Sequence, residues 1–343
     1  MEIKQNTLYL TTEGAYVSRD HLNLRIEVER ELKLSVPIHH LESVCVFGQC
    51  ALSPPALQLC WEHGVSVNYF SENGYLIGRW EGVPNTSVLL RRAQYRAADD
   101  LEVSHLLARQ FVAGKIQNSR QSLLRSARES DSEEDRSKLQ TCAADMATML
   151  RWLERSVNTD EVRGLEGQAA SLYFSVFSLH LRQQRDEFAF ATRTRRPPLD
   201  YVNCLLSYLY ALVRHDCIAG LTATGLDPFV GYLHALRPNR PALALDLMEE
   251  FRTMVADRLA ITLINRRQIT PKDFVTREGG AVEFTPAGRK GVITAYQSRK
   301  METVRHPVLD QDCRIGQLML VQSRILARCI RGDVPEYVPF VLR

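Results

Sequence analysis

The sequence predicts an α+β fold, with a small N-terminal β-rich domain followed by a larger all-α domain. Alternating apolar and polar residues dominate the first 85 positions, and helical periodicity replaces them from about residue 89. Residues 84–87, Pro-Asn-Thr-Ser, separate the two patterns and are typical of a linker. At 343 residues the chain is long enough for about two domains. We therefore expect one domain over residues 1–85 and a second over residues 86–343.

The N-terminal domain is predicted to contain six strands and one short helix. In LNLRIEVE, residues 22–29, apolar and polar side chains alternate, as in a strand with one buried face. Turn residues at Glu13-Gly14 and Asn73-Gly74 separate the strand candidates. The predicted helix, PPALQLCWEHG, opens with proline and closes at Gly64. The remaining strand candidates are TLYLT, LKLSVPI, SVCVFG, VSVNYFS and YLIGRW.

The second domain is predicted to be helical over most of its length. The acidic, serine-rich run 128–137 is typical of a solvated loop between two helices. Glycines and prolines in REGGAVEFTPAGRKGV, residues 277–292, predict a hairpin. Helices are expected at about 89–97, 101–127, 139–155, 164–184, 200–219, 241–265 and 311–331.

Composition and charge narrow the class of protein. No apolar run approaches the ~20 residues that span a bilayer, and the polar N-terminal segment does not resemble a signal peptide, so we expect a cytoplasmic protein without a membrane partner. Eight scattered cysteines without a CxxC pair argue against structural zinc and for core thiols. Residues 1–85 carry a net charge of −4 and the remainder +7, which favours a polyanionic partner for the second domain.

The stretch RGLEGQAASLYFSVF, residues 163–177, raises a question about Glu166. Apolar residues follow this glutamate at positions that share one helical face, so the carboxylate lies at the head of the predicted buried stripe. Buried charge requires a partner. Gly167 inside the helix further suggests close approach by another group.

A second stretch, residues 231–252, supplies candidate partners. Asp246, Glu249 and Glu250 lie on neighbouring turns of one predicted helix, and His234 precedes that helix in a proline-fixed segment. A divalent cation would offset this carboxylate repulsion, and mixed oxygen and nitrogen ligands suit Mn²⁺ well and Mg²⁺ acceptably. The alternatives are an ion pair of Glu166 with Arg163 or Arg252, a hydrogen-bonded core histidine, and a solvated acidic helix face.

These stretches resemble one known family. GLEGQAASLYF, RTRRPPLDYVNCLLSYLYALV and the segment from His234 through LALDLMEEFR occur in the order and spacing of the CRISPR-associated protein one family. The resemblance covers residues 1–343 and includes the helix with Lys115, Asn118 and Arg120. It implies the catalytic large subunit of a spacer-acquisition integrase, a metal-dependent DNA endonuclease that inserts short DNA spacers into a CRISPR array in antiviral defence.

The resemblance also implies the site residues, cofactor and partners. Glu166, His234 and Glu249 match the catalytic metal ligands, with Asp246 as second choice because relatives commonly carry aspartate at the ligand position. Mg²⁺ or Mn²⁺ would support attack of a 3′-hydroxyl on a phosphodiester, with His234 as ligand or general acid. The implied partners are double-stranded DNA (prespacer and CRISPR repeat), a second copy of the chain joined through the β domain, and a dimer of CRISPR-associated protein two.

Basic residues are the candidates for holding the DNA. Arginine and lysine donate to phosphate oxygens, and several cluster before Pro197-Pro198 or near the candidate site. The DNA-binding candidates are Arg163, Arg193, Arg195, Arg196, Lys115 and Arg252.

Two other functions remain open: a DNA-binding assembly scaffold with an arginine-paired acidic cluster, and a metal-dependent phosphodiesterase acting on branched DNA or RNA.

Overall fold

The computed structural model describes residues 7–41, 43–71, 76–80 and 88–342. Contacts between Cα atoms separate the chain into two compact units, Met1–Thr86 and Ser87–Arg343. The predicted linker at 84–87 and the predicted Asn73-Gly74 turn lie outside the described residues. Within the described part of the chain, no helix is both long and apolar enough to cross a membrane.

The first unit contains two four-stranded sheets. One sheet has the order β1-β5-β7-β8, in which β1, β5 and β7 are parallel and β8 is antiparallel to β7. The other has the order β4-β3-β2-β6, in which only β2 and β6 are parallel. The elements are β1 Thr7–Leu10, β2 Tyr16–Asp20, β3 Asn23–Val28, β4 Glu31–Pro37, β5 Ser43–Phe47, β6 Ala51–Leu52, α1 Pro54–Glu62, β7 Ser66–Phe70 and β8 Leu76–Trp80.

Strand alternation determines the core of this unit. Leu24 and Ile26 of β3 are buried, while Arg25 between them is paired with Glu27 on the wetter face. Every residue of β5 is buried, as expected for the centre of a parallel sheet covered on both faces. By contrast, the first five residues of β4, an edge strand, are exposed.

The second unit is mainly helical and contains two short hairpins. The long helices α3 and α6 each contribute a row of buried apolar side chains to its core. Together with the first unit, this organisation confirms the predicted fold class. Its elements are α2 Val88–Asp99, α3 Leu101–Arg128, α4 Glu133–Glu154, α5 Thr159–Ser175, α6 Tyr201–Ala223, α7 Ala242–Met248, α8 Arg258–Asn265, β9 Phe274–Thr276, β10 Val282–Phe284, α9 Pro286–Met301, β11 Thr303–His306, β12 Gln311–Arg314 and α10 Leu318–Ile330.

Two helices begin earlier than predicted because polar residues cap them. Part of the predicted loop 128–137 is helical, since the Ser132 side chain accepts a bond from Asp135 N (3.2 Å) and acidic residues fill the first turn of α4. Asn158 similarly accepts from Glu161 N (2.9 Å) and starts α5 at Thr159. α5 ends at Ser175, well before the predicted residue 184, and is followed by a 3₁₀ turn, Phe177–His180.

Three other predictions need correction. The helix predicted over 241–265 is interrupted by a π-helical turn, Arg252–Asp257. The hairpin predicted over 277–292 lies earlier, over residues 274–284, where β9 pairs with β10. The second half of the predicted range is instead helix α9, capped by Thr285. The start of the predicted final helix, 311–314, is strand β12 paired with β11.

Candidate active site

The ammonium group of Lys115, on α3, joins carboxylates from two other parts of the chain. Its Nζ forms an ion pair with Glu166 Oε1 on α5, and it lies 2.8 Å from Glu249 Oε2, just after α7. The Glu166 side chain is partly exposed, whereas that of Glu249 is buried. Residues 115, 166 and 249 therefore meet at one point despite their separation in sequence.

Glu249 is held ionised by the cationic groups around it. Burial alone would raise its pKa, but Arg252, Lys115 and His234 outweigh burial and lower the pKa to about 2. The closest arginine atom is Arg252 Nη2, 3.0 Å from Glu249 Oε1. Arg252 can reach this carboxylate because it is three residues away on the same face of the helical segment.

His234 is oriented by Asp246, a fully buried residue of α7. Asp246 accepts bonds from the backbone N–H groups of Tyr232 (2.6 Å), Leu233 (3.0 Å) and His234 (2.9 Å), and lies 2.7 Å from His234 Nδ1. His234 Nε2 is consequently the free ring nitrogen and lies 3.9 Å from Glu249 Oε1. Asp246 thus makes four contacts with residues 232–234 and organises the loop of residues 231–234, here called the histidine loop. It has little remaining capacity for a cation.

The histidine loop is also fixed by close packing and by Arg163. A Cβ at Gly231 would lie 2.6 Å from Asp246 Oδ2, so only glycine fits there. Arg163 Nε donates to the carbonyl of Leu233 at 2.6 Å, and Arg163 also pairs with Asp160. Arg163, predicted to contact DNA, is therefore used at least partly to hold this loop.

The helix around Glu166 differs from the sequence prediction at Gly167. A Cβ built at that glycine would meet no described protein atom within 4 Å, so no described part of this chain is the group whose close approach was expected there. Tyr173, further along the predicted stripe, is buried as expected. Glu166 itself lies where this stripe reaches solvent.

The predicted arginine cluster divides into one anchored and two exposed side chains. Arg193 donates to Asn203 Oδ1 (2.7 Å) and Ser207 Oγ (3.0 Å) on α6. Arg195 and Arg196 are exposed. Between α5 and residues 191–195 lies a cavity of about 350 Å³, lined by Phe174, Arg193 and Arg195 among others.

The donor set at the site fits a hard divalent cation. In the described ranges, no three His, Cys, Asp or Glu side chains form a ready-made cation site, and Lys115 Nζ lies between the two carboxylates. Glu166, Glu249 and His234 Nε2 still supply the oxygen and nitrogen donors suited to Mg²⁺ or Mn²⁺. A bound cation would take over the charge compensation that Lys115 provides here.

Sequence reasoning missed two contributors to this region, Arg214 and Asp257, and it grouped Glu250 with Asp246 and Glu249. Arg214 is the one arginine or lysine in the mainly apolar helix α6, and that contrast was the available signal. Asp257 accepts a hydrogen bond from Tyr210 Oη, and the two residues could not be paired from spacing alone. Glu250 is directed away from Glu249 and binds the backbone N–H of Phe340 (2.7 Å).

Comparisons with known proteins agree with this fold. Residues 8–298 match the family described as CRISPR associated protein Cas1. A curated relative from Moorella thermoacetica, named CRISPR-associated endonuclease Cas1 1, is 48% identical over 100% of both chains. The solved structure of a CAS1 protein from Thermotoga maritima has a TM-score of 0.81 at 25% identity, covering 97% of this chain and 99% of that one.

A casposase bound to integration product has the same fold, with a TM-score of 0.85 at 24% identity over 97% of this chain and 93% of its own. The family match spans most of the chain, and the curated relative is aligned along its whole length. The family and the class of enzyme predicted from the sequence are thus confirmed, and the chain belongs to the Cas1 family of CRISPR-associated endonucleases.

Proposed function

We propose that this chain is a metal-dependent DNA endonuclease and integrase that inserts short DNA spacers into a CRISPR array. Glu166, Glu249 and His234 would hold Mg²⁺ or Mn²⁺. The observation that carries the proposal is the shared contact of Glu166 and Glu249 with Lys115 Nζ, beside the free Nε2 of His234. Family membership supports the reaction class, since the curated relatives are named endonucleases.

The reaction would be a transesterification. A DNA 3′-hydroxyl oxygen bonds to the target phosphorus, the bond from phosphorus to the departing 3′-oxygen breaks, and a proton passes from nucleophile to leaving group. The bound cation would offset charge on the phosphate oxygens. With water as nucleophile, the same site would hydrolyse DNA.

The chain's own residues prepare this site for phosphate chemistry. Asp246 fixes the tautomer of His234 that carries its proton on Nδ1, so that Nε2 is available as ligand. If His234 instead acts as general acid, Nε2 must carry a proton to the leaving oxygen. Arg252 keeps Glu249 ionised, and Lys115 provides a positive charge beside the reacting phosphate once a cation engages the carboxylates.

The proposal is tested by DNA cleavage and strand transfer in Mn²⁺ or Mg²⁺. Glu166→Gln and His234→Ala are each expected to lower the rate at least about 100-fold while the far-ultraviolet circular dichroism spectrum is retained. The matched control is Glu187→Gln, an exposed carboxamide substitution outside the site, which should retain activity. Full activity in both site variants would contradict the proposal.

The second candidate is a DNA-binding assembly scaffold without catalysis. It is favoured by the ion pairs that Glu249 makes with Lys115 and Arg252, which satisfy the buried carboxylate without a cation. This candidate requires salt-sensitive DNA binding with no divalent-ion dependence, and a loss of about 3 to 5 kcal/mol of stability when one partner is removed. Cleavage of plain duplex DNA only when Mn²⁺ is added would rule it out.

The first unit is proposed to join two copies of the chain, with a dimer of CRISPR-associated protein two as a further partner. Edge strand β4 supports this role because Leu32 and Leu34 are 52% and 49% exposed there. Leu34→Arg should shift the molar mass in solution from dimer to monomer, as measured by light scattering. An unchanged molar mass would show that β4 is not part of the interface.

Prespacer and CRISPR repeat DNA are the proposed substrates of the second unit.

A further inference from the structure

Tyr210, near the middle of α6, has a guanidinium group near its ring from each of two other segments. Arg252 Cζ lies 4.9 Å from the ring centroid and Arg193 Cζ lies 5.4 Å from it. The phenol Oη donates to Asp257 Oδ1 at 2.6 Å, and both residues are buried. The ring is therefore anchored at its polar end and offers its π system to both cations.

The positive charges around this ring are only partly compensated. Arg252 pairs with Glu249, but the hydrogen-bond acceptors of Arg193 are neutral groups: Asn203, Ser207 and the Thr194 carbonyl. Asp257 is the other carboxylate at the ring, and it accepts from Tyr210.

Arg214 adds a further guanidinium one helical turn beyond Tyr210. It is partly buried, and no described residue hydrogen-bonds or ion-pairs with its side chain. Burial and the neighbouring charges of Arg196 and Arg252 lower its pKa. Partly buried like charges are unfavourable unless an anion joins them, and a guanidinium fork matches the oxygens of a phosphate.

We propose that Arg193 and Arg252, which lie beside the Tyr210 ring, and Arg214, one turn further along α6, bind one backbone phosphate of the DNA strand that enters the active site. Arg214 is the specific contact that this inference adds. It rests on the proposed function, because the site is assigned to DNA through its position beside Glu249. Arg252 touches both the ring and Glu249, so the bound phosphate would be close to the reacting one without being it.

The first test measures DNA binding in EDTA, where no cleavage occurs. A fluorescent duplex with a single-stranded 3′ end is titrated with the full-length protein at several salt concentrations. Arg214→Gln should weaken binding about tenfold and reduce the slope of log K against log salt by about 1. Arg30→Gln, an exposed arginine of the first unit, is the matched control and should change neither quantity.

The second test locates the contact with a methylphosphonate scan, in which one charged linkage at a time becomes neutral. At one linkage near the 3′ end, the wild-type protein should lose about tenfold in affinity and Arg214→Gln should lose nothing further. Wild-type affinity of Arg214→Gln at every salt concentration, or equal effects of every linkage in both proteins, would overturn the proposal.

A folding defect in Arg214→Gln would not prevent the test. Arg214→Lys keeps the charge and can be scanned in the same way, with weaker but still linkage-specific coupling expected because lysine lacks the fork. No linkage-specific coupling in Arg214→Lys would then overturn the proposal. Because these measurements use no divalent cation, they can fail while Glu166-dependent cleavage holds, or hold while cleavage fails.

Discussion

Lys115 determines how the two candidate ligand carboxylates are compensated. Its Nζ contacts Glu166 and Glu249, so a cation that enters the site has to take over this role. The contact also explains why these acidic side chains can approach each other in the folded chain. The ammonium and a divalent cation are therefore expected to compete for the same oxygens.

Lys115→Met should make the protein depend more strongly on a divalent cation. In EDTA we expect the free energy of unfolding of the variant to fall by about 1 to 3 kcal/mol, because Glu249 loses one of its two close cationic partners. Mn²⁺ should raise the melting temperature of the variant more than that of the wild type, since binding to the folded state stabilises it. Thermal melts with and without Mn²⁺ measure both effects, and adding Glu166→Gln should remove the Mn²⁺ response. Equal shifts in wild type and Lys115→Met would contradict the competition.

Asp257 should make stability depend on pH in a defined direction. Burial raises its pKa from 3.8 to about 6, despite the hydrogen bond from Tyr210 and the nearby Arg252 and Arg193. The unfolded chain thus releases this proton at lower pH than the folded chain, and the stabilising contribution is lost as pH rises from about 4 through about 6.

Asp257→Asn keeps an acceptor for Tyr210 and removes the titration. Its free energy of unfolding, relative to the wild type, should therefore rise by about 1 kcal/mol between about pH 5 and about pH 7.5. Urea unfolding at both pH values measures this difference. A difference that stays constant would show that Asp257 ionises in the folded protein as it does in the unfolded chain, and a difference that falls with pH would show that folding lowers its pKa.

Among the elements, a C-terminal segment, residues 337–342, packs against α3 beside Lys115. Asn118 on α3 binds both the Phe340 carbonyl (2.9 Å) and the Leu342 N–H (2.9 Å). Glu250, whose pKa burial raises to about 8, accepts from Tyr337 Oη and the Phe340 N–H. The segment therefore connects α3 with the residue that follows Glu249.

Gly114→Ala tests this packing. Helix propensity alone would stabilise α3 by about 1 kcal/mol, but the new Cβ would lie 2.8 Å from Pro339 Cβ and 3.1 Å from Glu250 Cγ. Overpacking of this kind costs about 1 to 3 kcal/mol, so the free energy of unfolding of Gly114→Ala is expected to be lower than that of the wild type. Gly164→Ala in α5 is the matched control, because no described atom lies within 4 Å of its Cβ, and it should gain stability. Urea unfolding compares them, and equal gains would contradict the packing argument.

Helix periodicity predicted the helices that present Glu166 and Asp246, because one buried face repeats along each of them. It could not predict the π-helical turn at Arg252–Asp257, since the extra residue per turn depends on tertiary packing. Polar residues that cap helices moved the starts of α4 and α5 away from the first apolar residue. The Lys115 contact joins residues 51 and 134 positions apart in sequence, so only the folded chain, or a family resemblance, could reveal it.

At the scale of the whole molecule, charge is divided between the two parts of the chain. Residues 1–85 carry −4 and the remainder +7. The candidate ligands and the arginines around Tyr210 all belong to the second unit, Ser87–Arg343. Salt-dependent binding of a polyanion is therefore expected to arise in that unit, and the first unit is left to contribute protein contacts.

This division predicts where DNA crosslinks to the full-length protein. With a photoreactive group placed along a duplex with a single-stranded 3′ end, most crosslinked peptides should come from residues 88–342, including the peptide that carries Arg196. Arg196→Gln should weaken binding and lower the salt slope by up to about 1, because its exposed guanidinium contributes one phosphate contact, while Arg30→Gln changes neither. Crosslinks concentrated in residues 7–80 would instead mean that local shape overrides net charge, and the acidic unit would then have to be assigned a DNA-binding surface of its own.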